Sequence, residues 1–232
     1  MAHEVTGAGE VTGAGDLTGA GDLTADRVRR NLVRLREELA VAAPGSPPRV
    51  LAAVKYVSAD DLGTLVAGGV DLAGENRAQE LERKVAAQPG LEWHFIGHLQ
   101  SRKVRQVVPH VSLIHSLCTD SALDQLGRHA PPETKVLIEV NVAADAGKSG
   151  LAPSELDGFI DRARRARLVV AGLMTMPPRA SAPDDSRRWF AALRELAATR
   201  GLRELSMGTT QDYAVAAAEG ATIVRIGSGL LR

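Results

Sequence analysis

The stretch that decides the fold opens with VLAAVK (50–55), DLAGEN (71–76), WHFIGHL (93–99) and LIHSLC (113–118). It runs on through KVLIEVNV (135–142), VVAGLMTM (169–176), RELSMGT (203–209) and TIVRIGS (222–228). These segments are short and mostly apolar, as buried strands must be. Between them lie helical stretches at 60–69, 77–88, 101–108, 120–129, 153–166, 184–200 and 211–219, with Asp60, Asp120 and Ser154 as candidate caps. Strict alternation predicts an α/β fold with a parallel sheet and helices outside it. Eight strands predict closure into a single (β/α)8 TIM barrel, compact at roughly 26 residues per unit. An open doubly wound sheet is the alternative, but no strand–GxGxxG–helix signature accompanies it.

An extra N-terminal helix precedes the first strand. Thr24 is its expected N-cap, Asp26 lies in its first turn, and Val28, Leu32, Leu35 and Leu39 follow at helical spacing. The chain stops four residues past Ser228. This helix is therefore expected to stand where the helix after strand eight would be.

Upstream, VTGAGE (5–10), VTGAGD (11–16) and LTGAGD (17–22) form a repeat with two glycines per unit. Glycine makes helix and sheet entropically costly, and there is little here to bury. Residues 1–23 are read as a disordered Gly-rich tail, and 24–232 as the barrel domain. TGAG is a poor phosphate loop, since no strand precedes it and no lysine follows.

Composition narrows the function. The 232 residues suffice to bury ~70% of the unfolded surface without disulfides. Aromatic residues are 3%, so the core must be Ala, Val, Leu and Ile. Lys plus Arg equals Asp plus Glu at 28 each; the tail carries Glu4, Glu10, Asp16 and Asp22 and no Lys or Arg. The small positive excess left on the body is too weak to suggest nucleic acid. One cysteine, Cys118, excludes an internal disulfide and points to a reducing, cytoplasmic compartment. No apolar run is long enough for a membrane span.

In a barrel the chemistry lies at the C-terminal ends of the strands. Lys55 closes the apolar run Val50–Val54. An ammonium there is costly to desolvate, and an amine so placed can form a Schiff base with an aldehyde. On position alone a strand-end lysine reaching solvent fits equally well. Gly208, Thr209 and Thr210 after strand seven, and Gly227, Ser228 and Gly229 after strand eight, sit where barrels hold phosphate. A phosphate cradle facing a Schiff-base lysine describes a pocket for a phosphorylated aldehyde, of which pyridoxal 5′-phosphate (PLP) is the commonest cofactor. Arg225 shares a face with Gly227 and points toward the ring, where a cation weakens the electron sink. Pairing of Arg225 with Glu75 or Glu139 is the structural alternative. No histidine spacing indicates a metal site.

AAVKY around Lys55, GENRAQEL (74–81), WHFIGHLQ (93–100), IHSLC (114–118), NVAADAGKSGL (141–151), GLMTMPP (172–178), LSMGTTQDY (205–213) and VRIGSGLL (224–231) occur in the order of a known family. The chain resembles the YggS/PROSC pyridoxal phosphate homeostasis proteins, similar in fold to the barrel of bacterial alanine racemases and hence to fold type III PLP-binding proteins. The resemblance implies that Lys55 carries PLP, that Arg225 faces the pyridine nitrogen, and that Gly227, Ser228 and Thr210 hold the phosphate with Ser206 and Gly208 nearby. Asn76 and Met174 line the pocket. It further implies a PLP buffer or carrier rather than an enzyme, a monomer or weak dimer, with PLP-dependent apo-enzymes as recipients. Tyr56, Arg77, Arg102, Thr209 and Leu230 depart from the family pattern.

Two other readings compete. A PLP-dependent racemase needs a base on each face of its substrate, and the only tyrosines are Tyr56 and Tyr213. A Schiff-base aldolase would use Lys55 on a sugar phosphate.

Overall fold

The computed structural model describes residues 23–232, so residues 1–22 of the tail expected at 1–23 lie outside the described residues. Leu23 already packs against the core. Eight parallel strands follow in order: β1 (Arg49–Ala53), β2 (Leu72–Glu75), β3 (Glu92–Phe95), β4 (Leu113–Leu117), β5 (Lys135–Glu139), β6 (Val169–Met174), β7 (Glu204–Thr209) and β8 (Ile223–Ile226). They form a closed barrel, sealed by β1–β8 pairs such as Leu51 with Arg225 and Ala52 with Ile226.

Around it run α1 (Ala25–Ala42), α2 (Leu62–Ala67), α3 (Ala78–Ala87), α4 (Val104–Val107), α5 (Asp120–His129), α6 (Leu156–Arg165), α7 (Arg187–Ala198), α8 (Tyr213–Ala218) and a last turn, α9 (Ser228–Leu231). The Thr24 side chain accepts from Arg27 N at 3.3 Å, as a cap should. Three expected caps move. Asp61 rather than Asp60 precedes α2, and Thr119 rather than Asp120 caps α5. Ser154 lies in a 3-10 turn, where Glu155 satisfies Ala152 N instead.

Helix α1 buries Val28, Leu32, Leu35 and Leu39 and packs between α2 and α8. It fills the place of a helix after β8, and Asn31 Nδ2 ties it to the carbonyls of Leu230 and Arg232 at 3.1 and 2.8 Å. Strand alternation divides the apolar residues into two cores. The larger lies between barrel and helices. The smaller fills the barrel with Leu51, Leu72, Leu113, Leu137, Met174 and Ile223.

Two strands need a missing Cβ. A side chain on Gly172 would run into the Glu204 carbonyl of the paired strand, and one on Gly74 into Leu51 inside the barrel. Gly172→Ala therefore requires β6 and β7 to part. Its expected cost exceeds the ~1–3 kcal/mol of ordinary overpacking, read as a lowered urea midpoint or loss of soluble protein.

Candidate functional site

Strand β1 ends two residues before Lys55, although the apolar run suggested a strand to 55. Val54 N still pairs with Gly74 O, but the Val54 carbonyl accepts from Val57 N at 3.0 Å and from the Lys84 ammonium at 2.7 Å. Lys55 therefore stands on a turn at the barrel mouth, half-buried, with Nζ 4.9 Å from the Tyr56 ring centroid. Its own carbonyl accepts from Arg77 Nη2 at 2.5 Å. The departure Arg77 thus clamps the lysine's backbone.

The clamp below the mouth was not legible in the sequence. Lys84 is 1% exposed and pairs with the fully buried Glu75. The other Glu75 oxygen accepts from the backbone N–H groups of Asn76 and Arg77 at 2.7 and 2.8 Å. One ion pair therefore sets the ends of β1 and β2 together, and with them Lys55 and Asn76. The amide oxygen Oδ1 of Asn76 is the one buried side-chain polar atom without a partner among the described residues.

Across the β1–β8 seam lies Gly227. A Cβ placed there would meet nothing nearer than Ala53, at 3.9 Å, so the turn is open toward the mouth. The next turn is tight. Gly229 N donates to Thr210 Oγ1 at 3.3 Å, which joins the ends of β7 and β8. Gly208 adopts φ +88°, and a Cβ added there would run into Ala216, so both conformation and space favour glycine. Ser228 is exposed at the rim, and Met174 is buried inside it.

Arg225 is 7% exposed and projects from β8 into the barrel. It pairs with neither Glu75 nor Glu139 among the described residues. Its Nη1 donates to Ser206 Oγ at 2.6 Å, and Nη2 donates to Thr175 O at 2.9 Å and lies 3.0 Å from Met176 Sδ. Burial lowers its pKa to about 10, which still leaves it cationic at neutral pH. Ser206, expected beside a phosphate, is thus engaged with Arg225. Its hydroxyl also meets His115 Nδ1 at 2.8 Å. His115 Nε2 lies 2.9 Å from His94 Nδ1, and His94 Nε2 lies 2.9 Å from Glu92 Oε1. Neither histidine is among the nine expected site residues, although His115 stands at a strand end where a pocket residue or a structural one fits.

Burial lowers the pKa of His94, and that of His115 well below the usual imidazole value; Arg49 brings Glu92 down to about 2. All three groups have folded pKa values below their unfolded ones. Each therefore contributes stability at higher pH that is lost on acidification. The histidine share falls away first, below about pH 6.5, as the unfolded imidazoles take up protons the folded ones refuse. The Glu92 share is lost between about pH 4.5 and pH 2. The expected result is a lower urea midpoint at about pH 5.5 than at about pH 7.5.

Beside Arg225 a cavity of about 350 Å³ opens at the mouth, lined by Lys148, Met176, Gly208, Thr209 and Asp212 among others. A larger one, about 780 Å³, lies under the β6–α7 connection against Arg179, Arg187, Arg188 and Arg194, and none of the nine expected residues lines it. Of the nine, Gly208 and Arg225 line the smaller one. On the opposite side of the rim, His98, Cys118 and Glu139 bring ligand atoms within 4.8 Å of one another, a grouping their sequence spacing did not reveal. Cys118 Sγ donates to Glu139 at 3.7 Å and Ser149 Oγ donates at 2.5 Å. Burial and the Glu139 charge push the thiol up to about 12, so it stays protonated. Tyr213 sits outside the barrel, its hydroxyl bonded to Glu38.

Residues 23–231 match the family model for the alanine racemase N-terminal domain. The pyridoxal phosphate homeostasis protein of Aquifex aeolicus is 38% identical over 216 residues, covering 88% of this chain and 95% of that protein. The protein of the same name from Escherichia coli K12 is 33% identical over 226 residues, with the same coverage. PipY of Synechococcus elongatus PCC7942, solved with PLP bound, superposes with a TM-score of 0.77 at 30% identity, covering 88% of this chain and all of PipY. Lysine decarboxylase of Selenomonas ruminantium shares the fold at a TM-score of 0.70 and 18% identity, and the match spans 62% of that enzyme. With its closed eight-stranded barrel and a match along nearly all the described residues, the chain belongs to the family of pyridoxal phosphate homeostasis proteins.

Proposed function

We propose that this protein binds PLP at the barrel mouth and buffers or delivers it without catalysing turnover. Lys55 holds the cofactor as a Schiff base; Gly227, Ser228 and Thr210 receive the phosphate, with Gly208 shaping the turn. Arg225 faces the pyridine nitrogen, Ser206 holds Arg225, and Asn76 and Met174 line the pocket. When bound, PLP supplies an aldehyde for an amine, a ring-nitrogen acceptor and a phosphate dianion.

The residues fit that group. A guanidinium has five N–H donors, and the three contacts of Arg225 leave capacity for an acceptor at the mouth. The open Gly227 turn gives an anion close approach to backbone N–H groups. The unpartnered Asn76 oxygen waits at the same mouth. The observation that supports the reading is the β1–β8 seam, where the end of β1, two residues before Lys55, meets the Gly227 turn and Arg225 pairs alongside on β8.

The carrier reading draws on Arg225 and on the tyrosines. A cation at the ring nitrogen opposes its protonation and so weakens carbanion stabilisation. Tyr213 is remote, and Tyr56 stands on the same strand end as Lys55, so neither supplies a base on the opposite face. The protein acts on apo-enzyme recipients as a monomer or weak dimer. Incubating the PLP-loaded protein with amino acids in deuterium oxide is expected to exchange Cα protons no faster than free PLP does. Exchange well above that level would establish the racemase-like reading instead.

A further inference from the structure

Five polar groups cross the barrel in single file. Arg225, Ser206, His115, His94 and Glu92 are joined by contacts of 2.6, 2.8, 2.9 and 2.9 Å. The file starts at the mouth, on β8. It ends at the first residue of β3, where Glu92 also pairs with Arg49 at 2.6 Å on the opposite face of the barrel.

Both ends have a fixed polarity. A guanidinium only donates and a carboxylate only accepts. Arg225 donates to Ser206, so the hydroxyl proton is free for His115 Nδ1. His115 then carries its proton on Nε2 and donates to His94 Nδ1, and His94 donates from Nε2 to Glu92. The opposite tautomers would aim the bare Nε2 of His94 at a carboxylate. Cationic imidazoles are opposed by burial and by the Arg225 charge facing His115.

We infer that His115, His94 and Glu92 are positioning residues, a one-way hydrogen-bond chain that pins Arg225 from the far side of the barrel. This rests on the reading of Arg225 as the group facing the ring nitrogen. The chain fixes where the guanidinium points, and so which of its donors remain for the cofactor. Glu92 thereby acts on the mouth without touching it. The Ser112 hydroxyl, which donates to Glu92 at 3.0 Å, and Arg49 hold the carboxylate that terminates the chain.

The test is nitrogen NMR of histidine side chains in the full chain without PLP. His94→Gln and His115→Gln assign the two signals among the six histidines. Both imidazoles are expected to carry one proton, on Nε2, and to stay neutral at about pH 6.5, where half of all exposed imidazoles are charged. Glu92→Met removes the terminal acceptor, and His94 and His115 are then expected to populate both tautomers. A proton on His115 Nδ1, a cationic imidazole at that pH, or unchanged tautomers in Glu92→Met each overturn the inference. Should Glu92→Met fail to fold, His94 variants serve. His94→Gln, whose amide can accept from His115 and donate to Glu92, retains the single His115 tautomer, and His94→Leu loses it. Equal tautomers in the two variants overturn the inference.

In PLP-loaded protein the pH profile of the cofactor absorbance shifts in His94→Leu and returns in His94→Gln; no difference between the two refutes the positioning role. The tautomer readout needs no cofactor. Failure of the chain therefore leaves PLP binding untouched, and failure of PLP binding leaves the tautomers untouched.

Discussion

Borohydride reduction of the protein with PLP is expected to leave one pyridoxyl group, on Lys55, and Lys55→Ala is expected to lose it completely. The chain has only five lysines, which makes the outcome decisive. Lys84 is enclosed and held by Glu75 and the Val54 carbonyl. Lys103 Nζ is bonded to Gln106 on the outer helix layer, and Lys135 opens β5 at the opposite face. Only Lys55 and Lys148 reach the mouth. Lys55 stands on the turn that the Lys84–Glu75 pair and Arg77 hold in place, whereas Lys148 lies exposed in a loop. A Schiff base needs its amine held against the carbonyl, and holding reactants together is worth several kcal/mol. Mass spectrometry of the reduced, digested protein reads the site directly. A pyridoxyl group on Lys148, or unchanged labelling in Lys55→Ala, would move the site.

Lys84→Met is expected to be the most destabilising single change at the site that leaves every proposed cofactor contact in place. Removing one partner of a buried pair strands the other charge, at a cost of about 3–5 kcal/mol. For a chain of this length that lowers Tm by about 6–20 °C. Arg77 Nε lies 3.9 Å from Glu75 but is half exposed, so it offsets little of the loss. Adding Glu75→Leu should not restore stability, because the Asn76 and Arg77 N–H groups would then lose their acceptor. Thermal unfolding of the two variants measures this. The single variant should also retain less PLP, since the Val54 carbonyl and the turn bearing Lys55 lose their anchor. A Tm within a few degrees of wild type would show the pair to be dispensable.

Much of the fold was legible because its signals are local. Each strand shows itself as a short apolar run and the longer helices by a period of 3.6, and α1 showed its four buried positions in that way. The strand-end rule then made Lys55 and Gly227 candidates, and alternation along β8 added Arg225. Caps and strand ends were less legible. Asp60 and Asp120 gave way to Asp61 and Thr119, and β1 stopped short of Lys55 where the Val54 carbonyl accepts from Val57 N in a turn and from a lysine 30 residues away.

By itself, then, the sequence determined the number of strands, their parallel order and the face on which chemistry must lie, since those follow from spacing along the chain. Only the tertiary structure decided that Lys84 and Glu75 share one buried site, that Ser206 serves Arg225, and that His115 and His94 join it to Glu92. Ser206 and His115 are 91 residues apart, and closing the barrel is what puts them 2.8 Å apart. A histidine's neighbours across a closed barrel depend on strand register and tilt, which no periodicity in its own segment records.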